Sequence, residues 1–355
     1  MKINRIILKG VNNFENLDLT LKDEWTGNIP DSLLLMGING SGKTTILRAI
    51  HNFWWVLGEI LSSYDKDHIK IPVSSQLAHY HFAALEIHDL LPNLLGNSVW
   101  ICLGEKHAIE QLASENETAF FISASPTASI KSEKIKYSFV YNAPITLKAD
   151  IDNVIENLVT RYRHNMLGGE IDLPNMVFIP SEGRTIHQIT IDSDSIEPEQ
   201  DSFYWIASYR PITKRKNSEQ NYLLSIMVKD EEKYKLIIKN VNQFLTGKKI
   251  SGFNKRTLEL EVMVDNGETH PIHLLSSGEK QVLLLITYIT RHLQVGGIVL
   301  IDEPELHLHT SLSTAFVSFI SRMVSEQQGQ LILASHDTDI WQSFSTSQRI
   351  NLNEV

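Results

Sequence analysis

The sequence predicts an α/β fold with a mostly parallel core sheet. Three observations predict it. An apolar run at Ser32–Met36 leads into a glycine-rich loop and then an amphipathic segment from about Lys43 to Ile60. A second apolar run, Ile298–Ile301, ends on two acidic residues. A third, Leu331–Ala334, ends just before His336. Short continuous apolar runs bounded by turns are the pattern of strands covered on both faces, and helical stretches alternate with them.

The other elements follow from periodicity. Residues 2–9 and 17–21 read as two short strands joined by a turn at Asn12–Asn13. Ser98–Leu103, Ala119–Ser123 and Lys134–Asn142 read as strands, the last with Ile135, Tyr137, Phe139 and Tyr141 at period two. Together they suggest an antiparallel meander. Ile151, Val154, Ile155, Leu158, Val159 and Tyr162 form one helical face, and Tyr234, Ile237, Ile238, Val241, Phe244 and Leu245 another. Neither sustains the heptads of a long coiled coil. Residues 191–201 are acidic and polar and read as an exposed loop. Thr257–Val264 reads as a strand, Gly278–Leu293 and Thr310–Val324 as helices. No internal repeat or low-complexity tract is visible.

Composition bounds the function classes. The 355 residues carry 32 Lys+Arg against 42 Asp+Glu, a net charge of −10. That disfavours a surface built wholly to wrap nucleic acid, while leaving room for a local basic groove. A single cysteine, Cys102, excludes an internal disulfide and a cysteine-based zinc site. It lies in an apolar strand and reads as a small buried hydrophobe. The expected compartment is a reducing cytoplasm. The start, MKINRIILKG, is too short and mixed for a signal peptide, and no apolar stretch approaches the ~20 residues of a membrane span.

Gly37-Ile-Asn-Gly-Ser-Gly42-Lys43-Thr44 fits G-x-x-x-x-G-K-[ST] at every fixed position. Glycines let backbone N–H groups close around phosphate oxygens, and the helix that starts here adds its positive end. Lys43 can reach the β- and γ-phosphates, and Thr44 can offer a hydroxyl to Mg²⁺. Asn39, Gly40, Ser41, Gly42, Lys43, Thr44 and Thr45 are therefore the candidate ATP-binding residues. Ile298–Ile301 delivers Asp302 and Glu303 to a strand's carboxyl end, where ligands bind in open α/β sheets. Asp302 can hold Mg²⁺, directly or through water, and Glu303 can orient or deprotonate an attacking water.

Leu275-Ser-Ser-Gly-Glu-Lys-Gln281 resembles the LSGGQ signature of ABC ATPases, IVLIDEPELHLH (Ile298–His309) their Walker B segment, and LILASHD their switch histidine. The four motifs come in the family's order. The chain most resembles the RecF/OLD/SMC-like branch, in which a strand pair precedes the phosphate loop, as MKINRIILKGVNNFENLDL does here. Septu and PARIS ATPase subunits of anti-phage defence belong to that branch. The resemblance covers about residues 1–60 and 255–345.

It implies a P-loop NTPase of ABC type: a single head over 1–355, with an antiparallel β arm and helical insertion over 62–255 and the signature, Walker B and switch histidine within 255–345. It also implies that Glu303 acts as catalytic base, that His336 senses the γ-phosphate, and that Ser276 and Gly278 touch the γ-phosphate of ATP held by another protomer. ATP would then join two heads. Ser277 stands where LSGGQ has its first glycine, and Asn12 where the branch often has Arg. Gln76 is a weak candidate for the Q-loop glutamine.

Other residues read more blandly. His307 and His309 supply only two ligands, too few for a metal site. Of Trp54 and Trp55, one is expected in the core. Arg210, Lys214, Arg215 and Lys216 form the densest basic run, a solvated loop or a contact for nucleic acid or an acidic partner. After about Ser345 no room is expected for a second catalytic domain. The reading is an Mg-dependent ATPase that regulates a separately encoded effector, such as a nuclease or toxin, in anti-phage defence. The alternatives are a DNA-repair ATPase that clamps DNA and, less favoured, a transporter subunit.

Overall fold

A computed structural model describes residues 1–23, 25–127, 134–144, 150–168, 172–184, 204–210 and 219–353. Lys214, Arg215, Lys216 and the acidic stretch 191–201 lie outside them. In chain order the elements are β1 (Lys2–Val11), β2 (Phe14–Thr20), β3 (Ser32–Met36), α1 (Lys43–Ser62), β4 (His68–Pro72), β5 (Phe82–His88), α2 (Pro92–Leu95), β6 (Ser98–Gly104), α3 (Lys106–Glu115), β7 (Phe120–Pro126), β8 (Lys134–Asn142), α4 (Ile151–Met166), β9 (Met176–Ile179) and β10 (Ile206–Ser208). Then follow α5 (Glu219–Lys229), α6 (Glu231–Asn242), β11 (Lys248–Phe253), β12 (Leu260–Val264), β13 (Thr269–Pro271), α7 (Ser277–His292), β14 (Ile298–Asp302), α8 (Thr310–Glu326), β15 (Gln330–Ser335), α9 (Thr338–Ser343) and β16 (Arg349–Asn351).

The core sheet has the order β10-β9-β14-β15-β3-β16 among the described residues. Each of its pairs is parallel, so the carboxyl ends of β3, β9, β14 and β15 share one edge. Its central strands β3, β9, β14 and β15 are largely apolar on both faces because both faces are covered. Leu33 and Leu35 join one hydrophobic cluster, which contains Ile46, Ile50, Phe53, Trp54 and Leu57 of α1. Leu34 points the other way, into a cluster with α7 and α8. Burial of a run such as Leu33–Leu35 contributes on the order of 1.5–3 kcal/mol per side chain.

A seven-stranded sheet, β2-β1-β5-β6-β7-β8-β4, covers the far side of α1. The expected meander is interrupted. β6 and β7 run parallel, joined by α3, whose Ile109, Leu112 and Ala113 pack with Trp100, Cys102 and Phe121 on the outer face. A parallel step needs a crossover, and residues 106–115 supply a helical one. Cys102 is fully buried, which pushes its thiol up to about 12, so it is a packing residue here. Trp54 is the core tryptophan. Its ring stacks on Trp205 at 4.4 Å, and each indole N–H donates to the other residue's carbonyl at 2.9 Å. Gly58 leaves the room this needs: a Cβ there would sit 2.8 Å from Trp205. Gln76 lies exposed on a short 3₁₀ turn, Gln76–His79. The strand expected at 257 begins at Leu260, after a turn in which Leu258 takes φ 56°.

One buried charge gives a stability prediction. Glu219, in the first turn of α5, is 7% exposed, and burial pushes its carboxyl from 4.5 up to about 7. The folded chain therefore holds this proton more tightly than the unfolded chain. The contribution is present below pH ~4.5 and is lost as pH rises through about 7. Urea unfolding at pH 5 and pH 8 is expected to show the wild type losing about 2–3 kcal/mol relative to Glu219→Gln. Parallel pH profiles for the two proteins would count against it.

Candidate functional site

The site forms at the carboxyl edge of the core sheet. β3 ends at Met36 and turns into the glycine-rich loop. Gly40 and Gly42 take φ of 85° and 95°, a region that side chains strain to enter. Gly42 has a second reason to be glycine, since a Cβ would lie 2.3 Å from the Phe14 ring. The β1–β2 turn thus braces the loop, and the Asn13 side-chain amide donates to Gly40 O at 3.1 Å. From the other side Asn353, just past β16, accepts from Ile38 N at 3.1 Å.

Lys43 opens α1 and is buried. Its ammonium donates to Gly37 O at 2.7 Å and Ile38 O at 3.0 Å. Burial lowers its pKa, while Asp302, Glu303 and Glu305 act to raise it. Thr44 Oγ1 donates to Asp302 Oδ2 at 2.9 Å, so the loop and the end of β14 are in direct contact. Ser181, just after β9, donates to the same oxygen at 3.2 Å. Asn39 and Gly40 are exposed at the loop tip, and Thr45 follows in the first turn of α1. The first N–H groups of α1 have no intrahelical acceptor, and the buried Ser41 hydroxyl has no partner among the described residues. An oxyanion would satisfy both. Thr44 and Asp302 are hard oxygen donors side by side, which suits Mg²⁺.

Glu303 stands at φ 52°, in the left-handed region, at a cost of roughly 1–2 kcal/mol for a side-chain-bearing residue. Three hydrogen bonds hold it there, one of them from Leu306 N to Glu303 O at 3.1 Å. Glu303 N donates to Ala334 O at 2.8 Å. Arg184 donates to Glu303 O at 3.0 Å, to Pro180 O at 2.6 Å, to Ile179 O at 3.3 Å and to Asp302 O. Arg184 is 5% exposed, and burial lowers its guanidinium to about 10, so it remains charged at neutral pH. Sequence reasoning missed Ser181 and Arg184. Their one visible signal is the apolar run Met176–Ile179 before PSEGR.

His336 follows β15. Its Nδ1 lies 3.7 Å from Glu303 Oε1 and 3.5 Å from Glu305 Oε1. Glu305, also missed, is buried and accepts from Ser335 Oγ at 2.7 Å and from His336 N at 3.3 Å. Burial raises its pKa, against the hydrogen bonds from Ser335 and His336. It was legible as the third carboxylate of Asp302-Glu-Pro-Glu305.

The structure thus brings Lys43, Thr44, Asp302, Glu303 and His336 into one site. Ser276 and Gly278 lie elsewhere, at the start of α7, and among the described contacts none joins them to the glycine-rich loop. Ser276 is exposed and caps α7. Gly278 is buried against the loop after β14, where a Cβ would sit 2.7 Å from His307 O. His307 and His309 are exposed, and among the described residues no cluster of three or more His, Cys, Asp or Glu could hold a metal. Arg210 follows β10, described without its three basic neighbours. Among the described residues no helix is long and apolar enough to cross a membrane.

Residues 179–340, from the end of β9 into α9, match the family model described as "AAA domain, putative AbiEii toxin, Type IV TA system". This part of the chain carries an AAA-type ATPase domain. Two curated proteins are similar to this ATPase. Protein ea59 of Escherichia phage lambda is 27% identical over 143 residues, 40% of this chain. The retron Vc95 probable ATPase of Vibrio cholerae serotype O1 biovar El Tor is 28% identical over 151 residues, 39% of this chain. The matches span about a quarter of those relatives' own length, 25% and 27%. Among solved structures, the SMC head domain from Thermotoga maritima is 12% identical with a TM-score of 0.44. The SmcHead bound to the C-winged helix domain of ScpA is 14% identical with a TM-score of 0.45. Each comparison covers 97% of this ATPase and 92% of the solved chain.

Proposed function

We propose that this ATPase core binds and hydrolyses ATP with Mg²⁺, pairs with a second copy around the nucleotide, and regulates an effector in anti-phage defence. One observation carries the reading: Thr44 Oγ1 and Asp302 Oδ2 meet at 2.9 Å beneath the glycine-rich loop. That juxtaposes a phosphate cradle with a metal-type carboxylate. The defence role is supported by the branch resemblance and by similarity to a retron ATPase.

In this reading the loop N–H groups and Lys43 bind the phosphates, and Thr44 and Asp302 hold Mg²⁺. The metal would neutralise charge on the phosphoryl oxygens. Glu303 accepts a proton from the attacking water. His336, between Glu303 and Glu305, reports whether the γ-phosphate is present. Ser276 and Gly278 of the second copy complete the γ-phosphate contacts.

Glu303→Gln tests the reading. Hydrolysis is expected to fall by about 10²-fold or more, the range for a lost general base. Light scattering should show a dimer with ATP and a monomer with ADP. A variant that hydrolyses ATP at the wild-type rate, or that stays monomeric with ATP, would overturn it. Co-purification of a separately encoded nuclease or toxin tests the effector role.

A further inference from the structure

The signature segment carries a charge where it is expected to meet one. Glu279 lies in the first turn of α7, three residues beyond Ser276, and its Oε2 accepts from Ser276 N at 2.9 Å and from Ser276 Oγ at 2.9 Å. Glu279 N donates back to Ser276 Oγ at 3.3 Å. This capping box spends the one hydroxyl proton of Ser276 on a carboxylate. A phosphate brought to Ser276 would meet the Glu279 charge within one side chain's reach. By itself that arrangement repels the ligand.

A distant element offsets the charge. Lys248, the first residue of β11, donates to Glu279 Oε2 at 3.0 Å and lies 3.0 Å from Oε1. The two side chains are only 23% and 13% exposed, so water screens the pair weakly. Burial works against the Glu279 carboxylate, but the hydrogen bonds from Lys248 and Ser276 outweigh it and hold its carboxyl below the ordinary range.

We propose that Lys248 is a positioning residue for the contact between subunits: it neutralises Glu279, so that the exposed Ser276 hydroxyl can turn outward to the γ-phosphate of a nucleotide held by a second copy. This inference rests on the ATP-joined dimer proposed above. With Lys248 present, Glu279 keeps a charge-assisted partner when Ser276 releases it. Without Lys248, the carboxylate holds the hydroxyl and repels the incoming phosphate.

The test uses the full chain with Glu303→Gln as background, light scattering for dimerisation with ATP and Mg²⁺, and a fluorescent ATP analogue for binding by the monomer. Adding Lys248→Met is expected to raise the protein concentration needed for half-dimerisation at least tenfold, while analogue binding stays within twofold. Adding Glu279→Gln as well removes the charge that Lys248 answers, and should restore dimerisation to within threefold of the background. Lys248→Arg should dimerise like the background. A merely structural Lys248 would weaken analogue binding by the monomer along with dimerisation, whereas a positioning role leaves analogue binding within twofold. Should Lys248→Met fail to fold, the comparison moves to Glu279→Gln with and without Lys248→Met, which should dimerise alike. Full dimerisation of Lys248→Met, or no rescue by Glu279→Gln in a folded double variant, would overturn the inference alone. A background that stays monomeric with ATP would overturn the dimer itself, and this inference with it.

Discussion

Lys43→Met is expected to weaken ATP binding by roughly 10²-fold and to stop hydrolysis while leaving the fold in place. Lys43 is buried, and its ammonium sits on the carbonyls of Gly37 and Ile38, where it can turn toward a phosphate with little rearrangement. Methionine keeps the stem and removes the charge. A hydrogen bond to a charged group contributes about 1.5–3 kcal/mol, and Lys43 would face more than one phosphate oxygen. Affinity should therefore fall by roughly 10²-fold. Calorimetric titration with ATP would measure that directly. Thermal unfolding gives an independent reading: bound ligand at 100 times its Kd stabilises by about 2.7 kcal/mol, so the ATP-induced rise in Tm seen in the wild type should vanish. Stability without nucleotide should change little, because burial already disfavours the charged ammonium. Undiminished ATP affinity in Lys43→Met would remove the phosphate assignment.

Arg184→Met is the second large effect, and it acts on stability and chemistry together. Arg184 donates to four backbone carbonyls, those of Ile179, Pro180, Asp302 and Glu303. Methionine fills similar space and removes a donor from all four; Glu303 O keeps Leu306 N at 3.1 Å, while the other three lose the guanidinium in a site that admits little water. Each orphaned buried acceptor costs about 1–3 kcal/mol before relaxation, so an overall loss of about 3–5 kcal/mol is expected. Urea unfolding should show it. The strained Glu303 also loses one of the three hydrogen bonds that hold its backbone, so hydrolysis should fall further than nucleotide affinity. Arg184→Lys should recover only part of either, because a tetrahedral ammonium cannot span acceptors arranged for a planar fork. A variant with wild-type stability and turnover would show that the turn holds itself.

The site was legible in the sequence to the extent that its parts are local. Gly37–Thr44 and Asp302–Glu303 are contiguous strings whose residue types and spacing carry the chemistry. His336 was placed by its position after an apolar run. Arg184 was not legible, since nothing adjacent in sequence marks a guanidinium that folds back onto carbonyls of β9 and of Asp302 and Glu303, over a hundred residues later. Glu279 was read as one letter of the signature. Its pairing with Lys248 depends on β11 lying beside α7. The strands show the same division. β3, β14 and β15 contain continuous apolar runs and declared themselves, whereas β9 is four residues long and β5 carries Glu86 within its span. β9 is too short to stand out and a carboxylate interrupts β5, although β9 ends at the site.

The sequence by itself determined which residues could cradle phosphate and which strands would be covered on both faces. Those choices rest on local backbone freedom and on hydrophobic pattern, and both are written in neighbouring letters. The tertiary structure alone decided that the carboxyl ends of four strands share an edge, that Thr44 meets Asp302, and that Arg184 secures the turn at Glu303. It also decided that Lys248 answers Glu279. These are contacts between residues far apart in the chain, fixed by strand order and by helix packing, and a buried charge finds its partner only where the fold brings one.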